Sequence, residues 1–311
     1  IPAMEGARMK VYVICLMILV GCFVSIPFAE EVGEGLMEAI EEGNLHEVKE
    51  LVEKGEKLNV VDKQDGVTPL IQAITFGRVD IVKLLLKSGA DVNLPDESNA
   101  ATPLMWGAIL DPGKEARERG IPIPPLESKL EIVRALLASG AKVNVKNHWG
   151  GTALQWAADA GLPGMVTMLL QAGADVNAGD DEGLTPLMAA ANYETPEHAE
   201  TVRLLLAAKA NVDAKNKMGD TALMYAVNNF KTENVQTLLK AGADVNTRNN
   251  LGFTPLMKAG QLARLDIIRT LITAKADLQA KNSEGNSVLA VAIRAGYKDA
   301  IQLLRNAGAK E

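Results

Sequence analysis

Short apolar segments of two kinds alternate along most of this chain. In one copy, Leu70, Ala73 and Ile74 give a short helix with a small-residue face. Ile81, Val82, Leu84, Leu85 and Leu86 then give the buried stripe of a second, antiparallel helix. Thr68 precedes the first segment as an N-cap, and Pro69 fills its first position, where no backbone N–H is needed. Gly77 and Gly89 stand where the two helices end, at positions that call for positive φ. Val92 anchors an extended stretch, and Gly66 supplies the turn before Thr68.

This spelling recurs. Thr68-Pro69-Leu70 returns as Thr102-Pro103-Leu104, Thr152-Ala153-Leu154, Thr185-Pro186-Leu187, Thr221-Ala222-Leu223 and Thr254-Pro255-Leu256, with Ser287-Val288-Leu289 as a degenerate seventh copy. The intervals are 34, 50, 33, 36, 33 and 33 residues. A second landmark keeps the same beat: Gly89-Ala-Asp-Val-Asn93, Gly140-Ala-Lys-Val-Asn144, Gly173-Ala-Asp-Val-Asn177 and Gly242-Ala-Asp-Val-Asn246. Lys209 and Lys275 replace its glycine in two further copies. A period of this length marks a stack of supersecondary units, none of which can bury its apolar face alone.

In these motifs the chain resembles the ankyrin repeat family from roughly Gly35 to Glu311. The resemblance implies an all-α ankyrin repeat solenoid of helix-turn-helix units, with short β-hairpin fingers along one edge. About eight units are expected, near 34–65, 66–99, 100–149, 150–182, 183–218, 219–251, 252–284 and 285–311. The first and last would be polar caps, Leu36 to Asn59 and Ala290 to Glu311. It also implies a non-enzymatic scaffold that binds another protein on its concave face and fingers, with a secreted effector as an alternative.

The 50-residue interval marks an insertion of about 17 residues against the repeat period, placed at 111–129 between the two helices of the third unit. Pro112, Pro122, Pro124 and Pro125 forbid a continuous helix there. It reads as a surface loop, as a docking element built on Ile121, Ile123 and Leu126, or as a lid over a small-ligand or enzyme site. A smaller insertion near Asn192 to His198 lies at the equivalent turn. Ala100 replaces the turn glycine of one finger, which predicts a distorted turn. Ile71, Met105, Gln155, Met188, Met224, Met257 and Ala290 share one register position, and packing in the core explains them better than metal or haem chemistry.

The N-terminus changes the picture of location. Arg8 and Lys10 precede an uncharged run from Val11 to Ala29, and Glu30 opens an acidic stretch. That is the pattern of a secretory leader over 1–29, with Met9 as the expected start. Cleavage after Ala29, lipidation at Cys22 and retention as a membrane anchor remain three alternatives. The expected setting is therefore outside the cytoplasm, periplasmic or secreted. The absence of any Asn-x-Ser/Thr acceptor favours a bacterial origin.

Composition narrows the chemistry. The formal charge is −7, so no nucleic acid is expected as main partner. Cys15 and Cys22 are the only cysteines, and His46, His148 and His198 make no metal spacing. No phosphate loop, nucleophile elbow or zinc-protease motif occurs, so neither a cofactor nor a catalytic residue is expected. Asp180-Asp181-Glu182 falls in a finger turn, where nothing raises a carboxyl pKa.

Partner-binding candidates are the finger and helix-end positions Val67, Phe76, Trp149, Asp159, Leu184, Tyr193, Met218, Asp220, Asn228, Asn229, Phe253 and Leu262. Trp149 and Phe253 stand out, because aromatic anchors dominate interfaces. Trp106, Trp156 and Tyr225, one residue after the Met position, border the groove or are partly buried. Asp and Asn along this edge point to a partner with a basic patch.

Overall fold

The computed structural model describes residues 34–63, 66–109, 123–229 and 231–311. The leader, Cys22 and the insertion up to Pro122 lie outside the described residues. The described chain is helical. Eight short helices form one set: α1 (Glu34–Glu42), α3 (Pro69–Thr75), α5 (Pro103–Gly107), α7 (Ala153–Asp159), α9 (Pro186–Ala191), α11 (Ala222–Asn228), α13 (Pro255–Gln261) and α15 (Val288–Ala295). Each is followed by a second helix: α2 (Leu45–Glu53), α4 (Val79–Lys87), α6 (Leu126–Ala138), α8 (Pro163–Gln171), α10 (Pro196–Ala207), α12 (Thr232–Lys240), α14 (Leu265–Thr273) and α16 (Lys298–Asn306).

The chain divides into two compact bodies, Ile1–Trp156 with Gln171–Ala174, and Ala157–Leu170 with Asp175–Glu311. In the first body α1, α3 and α5 pack side by side, as do α2, α4 and α6. In the second, α9, α11, α13 and α15 form one row and α10, α12, α14 and α16 the other. Helix α3 has α1 and α5 on its flanks and its partner α4 behind, so Pro69 through Ile74 are all buried. A second-row helix has one covered face, and in α4 only Ile81, Val82 and Leu85 are buried. The register position shared by Met105, Met188, Met224 and Met257 is at most 1% exposed, which makes those methionines core residues.

The caps follow the spelling. Thr68, Thr102, Thr152, Thr185, Thr254 and Ser287 each accept the backbone N–H three residues on, at 3.1 to 3.4 Å. Thr221 makes no such bond, and its buried hydroxyl has no partner.

The fingers differ from the expected β-hairpins. Among the described residues the only extended pairing outside helices is one isolated bridge, Lys281 to Ser287. Five residues leave room for one backbone bond across the turn, such as Asn147 N to Gly151 O (3.0 Å), and a side chain closes it further. Asn147 Oδ1 accepts from Trp149 N at 3.1 Å and from Gly151 N at 2.8 Å. Asp180, Asn216, Asn249 and Asn282 repeat this geometry. Successive fingers then join through the backbone: Lys217 N to Glu182 O (2.8 Å), Asn250 N to Met218 O (3.0 Å) and Ser283 N to Leu251 O (3.1 Å).

The last residue of the Gly-Ala-Asp-Val-Asn motif joins one unit to the next. Asn59 Oδ1 accepts from Asp91 N (2.6 Å), and its Nδ2 donates to Gly89 O (3.0 Å). Asn93 does the same with Lys142 N and Gly140 O. Asp213, which can only accept, keeps the first half of the pair, and the Gln279 amide donates the second, to Gly308 O.

Local geometry differs from expectation at three places. The last four residues of the insertion placed at 111–129, Leu126 to Lys129, are helical and form an extra first turn of α6. Pro196 to His198 likewise extend α10, capped by Thr195. The Ala100 turn is not distorted: Asp96 N reaches Ala101 O as Asp62 N reaches Val67 O. Ala100 holds φ +53 in place, at the cost of strain. Lys209 (φ +68) and Lys275 (φ +64) carry the same strain at helix ends where other copies have glycine.

Lys209→Gly and Lys275→Gly are each expected to raise unfolding free energy by about 0.5–1 kcal/mol, against an equal loss for Gly242→Lys. Asn246→Ala, which strips the bond to Asp277 N, should cost about 1 kcal/mol. Urea unfolding curves of the four variants check both statements.

Candidate functional site

In the five-residue turns the third residue is the finger tip, whose carbonyl accepts the backbone bond from the next finger at Glu182, Met218 and Leu251. In the first body this position holds Trp149, 40% exposed. In the second body it holds Glu182, Met218, Leu251 and Glu284, with Met218 at 60% and Leu251 at 61% exposure. Leu251 was not among the sequence candidates, although its register with Trp149 and Met218 could have found it.

Of the residues directly before the cap threonines, Val67, Leu184 and Phe253 are half-buried, whereas Ala101 is fully buried. Asp220 is not available at all. It is 7% exposed, with one carboxylate oxygen on Asn249 Nδ2 (2.8 Å) and the other on Lys258 Nζ (3.3 Å). Its charge is spent inside the stack, so it does not contribute to the expected attraction for a basic partner.

In the first body, Trp106 and Trp156 meet edge to face, with ring centroids 6.5 Å apart. Trp106 Nε1 donates to the buried Asp96 carboxylate at 2.8 Å. Both rings are half-buried, so the two readings of that position merge into one. Tyr225, at the same register in the second body, is also half-buried, and its hydroxyl accepts from Asn216 Nδ2.

The helix-end candidates serve packing. Phe76 lies 6.0 Å from the Arg78 guanidinium, which in turn donates to the Glu41 carbonyl at the end of α1. Asn229 bonds the Asn192 side chain and the Tyr225 carbonyl. Asn228 and Leu262 are half-buried at the ends of α11 and α13.

Asp159 and Tyr193 are brought together. The Tyr193 ring stacks on His198 at 4.5 Å between centroids. His198 Nε2 donates to the Asp159 carbonyl (2.9 Å), which leaves Nδ1 to accept from the Thr195 hydroxyl (2.9 Å). Gly161 makes room, since a Cβ there would stand 2.5 Å from the imidazole. Burial pushes the Asp159 carboxyl up to about 6, against a hydrogen bond from Tyr193 that lowers it. Burial also lowers the His198 pKa, opposed by its bond to the Asp159 carbonyl.

Sequence reasoning missed Lys129. It lies at the register of Arg78 and His198, just before its helix covers the core, and is 2% exposed. Its ammonium donates to the Trp106 carbonyl at 3.2 Å, and burial lowers its pKa to about 7. Nearby Pro124 is buried against Gly77, where a Cβ would meet it at 2.5 Å. Ile123 and Leu126 on either side are 50% and 38% exposed. The two best-formed clefts among the described residues measure about 130 and 110 Å³, below the ~300 Å³ at which ligand pockets begin.

Two titration effects follow, with opposite signs. A folded pKa near 6 for Asp159 makes its ionisation destabilising, fully so at pH 7 and not at all below pH 4. Asp159→Asn should therefore raise the Tm at pH 7, and the gain should vanish by pH 4. Lys129 costs stability below pH 7, and that cost fades as pH climbs toward 10.5. Lys129→Met is expected to gain about 1–4 kcal/mol at pH 7, with the gap narrowing at pH 10. Thermal melts across pH test both.

Comparison with known proteins agrees with the motifs. A family model described as ankyrin repeats (3 copies) matches residues 31–114, 126–216, 177–249 and 223–311. The chain is 33% identical over 112 residues to the ankyrin repeat and KH domain-containing protein mask-1 of Caenorhabditis elegans, covering 36% of this chain and 4% of that protein. It is 36% identical over 114 residues to mouse (Mus musculus) protein phosphatase 1 regulatory subunit 12A, covering 35% and 11%. With the human (Homo sapiens) B-cell lymphoma 3 protein it shares 32% over 128 residues, covering 40% and 28%. The chain thus spans only a small part of these relatives. All three are eukaryotic, so they lend no support to a bacterial origin.

Proposed function

The chain belongs to the ankyrin repeat family, and from that premise we propose that it is a non-enzymatic scaffold holding a partner protein on its fingers and adjoining groove. Ankyrin repeat proteins generally mediate protein–protein interaction. The observation that carries the reading here is the exposure of large apolar side chains at finger tips: Trp149 in one body, Met218 and Leu251 in the other. These side chains keep large apolar surface in water, which is the signature of an interface. Leu184 and Phe253 supply half-buried apolar ground beside the second-body tips. Val67 does so in the first.

The setting we propose is the cell envelope or the extracellular space, on the strength of the leader with Arg8, Lys10 and the apolar run to Ala29. Attachment through Cys22 or an uncleaved leader would add a membrane contact at the N-terminus.

Cross-linking in intact cells with mass spectrometry is expected to recover one defined partner protein. Its recovery should fall at least tenfold in a Trp149→Ala/Phe253→Ala variant and again in Met218→Ala/Leu251→Ala, with melting unchanged. Undiminished recovery in both would reject this face. The same spectra report the mature N-terminus, and a chain beginning upstream of Met9 in the cytosolic fraction would reject export.

A further inference from the structure

Lys215, Arg248 and Lys281 occupy one register position in three successive units, six residues before Thr221, Thr254 and Ser287. All three are exposed on the first limb of a finger. Each of the first two reaches along the stack to the next: Lys215 Nζ donates to the Arg248 carbonyl at 2.9 Å, and the Arg248 guanidinium donates to the Lys281 carbonyl. These bonds are to backbone, so no positive charge is neutralised. None of the three forms an ion pair with a described residue, whereas the neighbouring finger cation Lys217 lies 3.9 Å from Glu182 and Arg294 lies 3.4 Å from Glu284. The preceding copy has Gly179 at this position, so in this body the row starts at Lys215.

We propose that this row docks an acidic, extended segment of the partner protein, with one carboxylate in every three residues. This rests on the protein-binding reading above and deepens it by naming the partner's chemistry. The spacing argument is geometric. Packed helices stand about 8–10 Å apart, which sets the step between successive cations. A polyproline II segment has three residues per turn at about 3.1 Å each, so every third side chain returns to the same face after about 9.3 Å. A flat strand turns its third residue to the opposite face, so it does not match. Lys215 and Arg248 are suited to the task because their side chains are already held by the carbonyl bonds. Lys215 keeps two ammonium N–H groups free and Arg248 keeps further guanidinium donors, so binding need not break the existing contacts. Less side-chain freedom remains to be lost on association. The exposed Met218 and Leu251 at the tips of two of the same fingers give apolar surface for residues between the carboxylates.

The test uses the purified chain and a fluorescent peptide of repeated Glu-Pro-Ala triplets, read by polarisation at low and physiological salt. Its control has the same composition with the glutamates gathered in one block. The triplet peptide should bind about tenfold more tightly than the block, as three exposed ion contacts of roughly 0.5 kcal/mol each imply. Lys215→Glu/Arg248→Glu/Lys281→Glu should weaken the triplet peptide at least tenfold. Lys240→Glu/Arg269→Glu/Lys298→Glu, an equal charge change on the second-row helices, should weaken it less than twofold. Circular dichroism checks that both variants stay folded. Equal weakening by the two sets, or equal binding of the two peptides, would overturn the proposal. So would a single-stranded oligonucleotide that binds more tightly and is lost with the same row. If the triplet peptide fails while the cross-linked partner still depends on Trp149 and Phe253, only this inference falls. If that dependence is lost too, the binding face falls with it.

Discussion

No helical pair in this chain can bury its own apolar face, and every other feature answers to that constraint. The first-row helices run five to nine residues, too short to hold in water without tertiary support. They persist because neighbouring helices pack against them, and this is why Leu70, Met105, Met188 and Leu256 are sealed almost completely. Burial alone would let adjacent units slide. The Asn ladder removes that freedom, since Asn59 and Asn93 each hold a backbone donor and a backbone acceptor of the following unit. Apolar area supplies the attraction, and the amide side chains set the register.

The repeat was legible because both devices are spelled in residue types. Thr-Pro-Leu states a cap and a buried first turn, and Gly-Ala-Asp-Val-Asn states a helix end, an Asx turn and a stitch. What was hidden depends on partners distant in sequence. Asp220 reads as a surface acid until Lys258, 38 residues on, is seen against it. Lys129 reads as the end of a loop because four prolines before it obscure where α6 begins. The fingers read as hairpins by family resemblance, yet five residues closed by an Asn or Asp side chain leave room for one backbone bond across the turn. Phe76, Tyr193 and Asn229 were chosen by register, which gives position along the unit but not what the side chain touches.

Net charge was an equally blunt guide. A chain at −7 is acidic on average. Yet some of its acids are paired locally, in i,i+4 pairs on α2 or against Lys217 of the adjoining finger. What a partner meets is the charge left unpaired at each edge, and on the second-body fingers Lys215, Arg248 and Lys281 make no ion pair with a described residue.

Pro124 sits on Gly77, a residue of the preceding unit, and α6 starts two residues later. The clasp therefore ties two units together at a single point. Any side chain added at Gly77 would push the proline aside and, with it, the start of the helix that follows, so a defect there is inherited by the neighbouring unit.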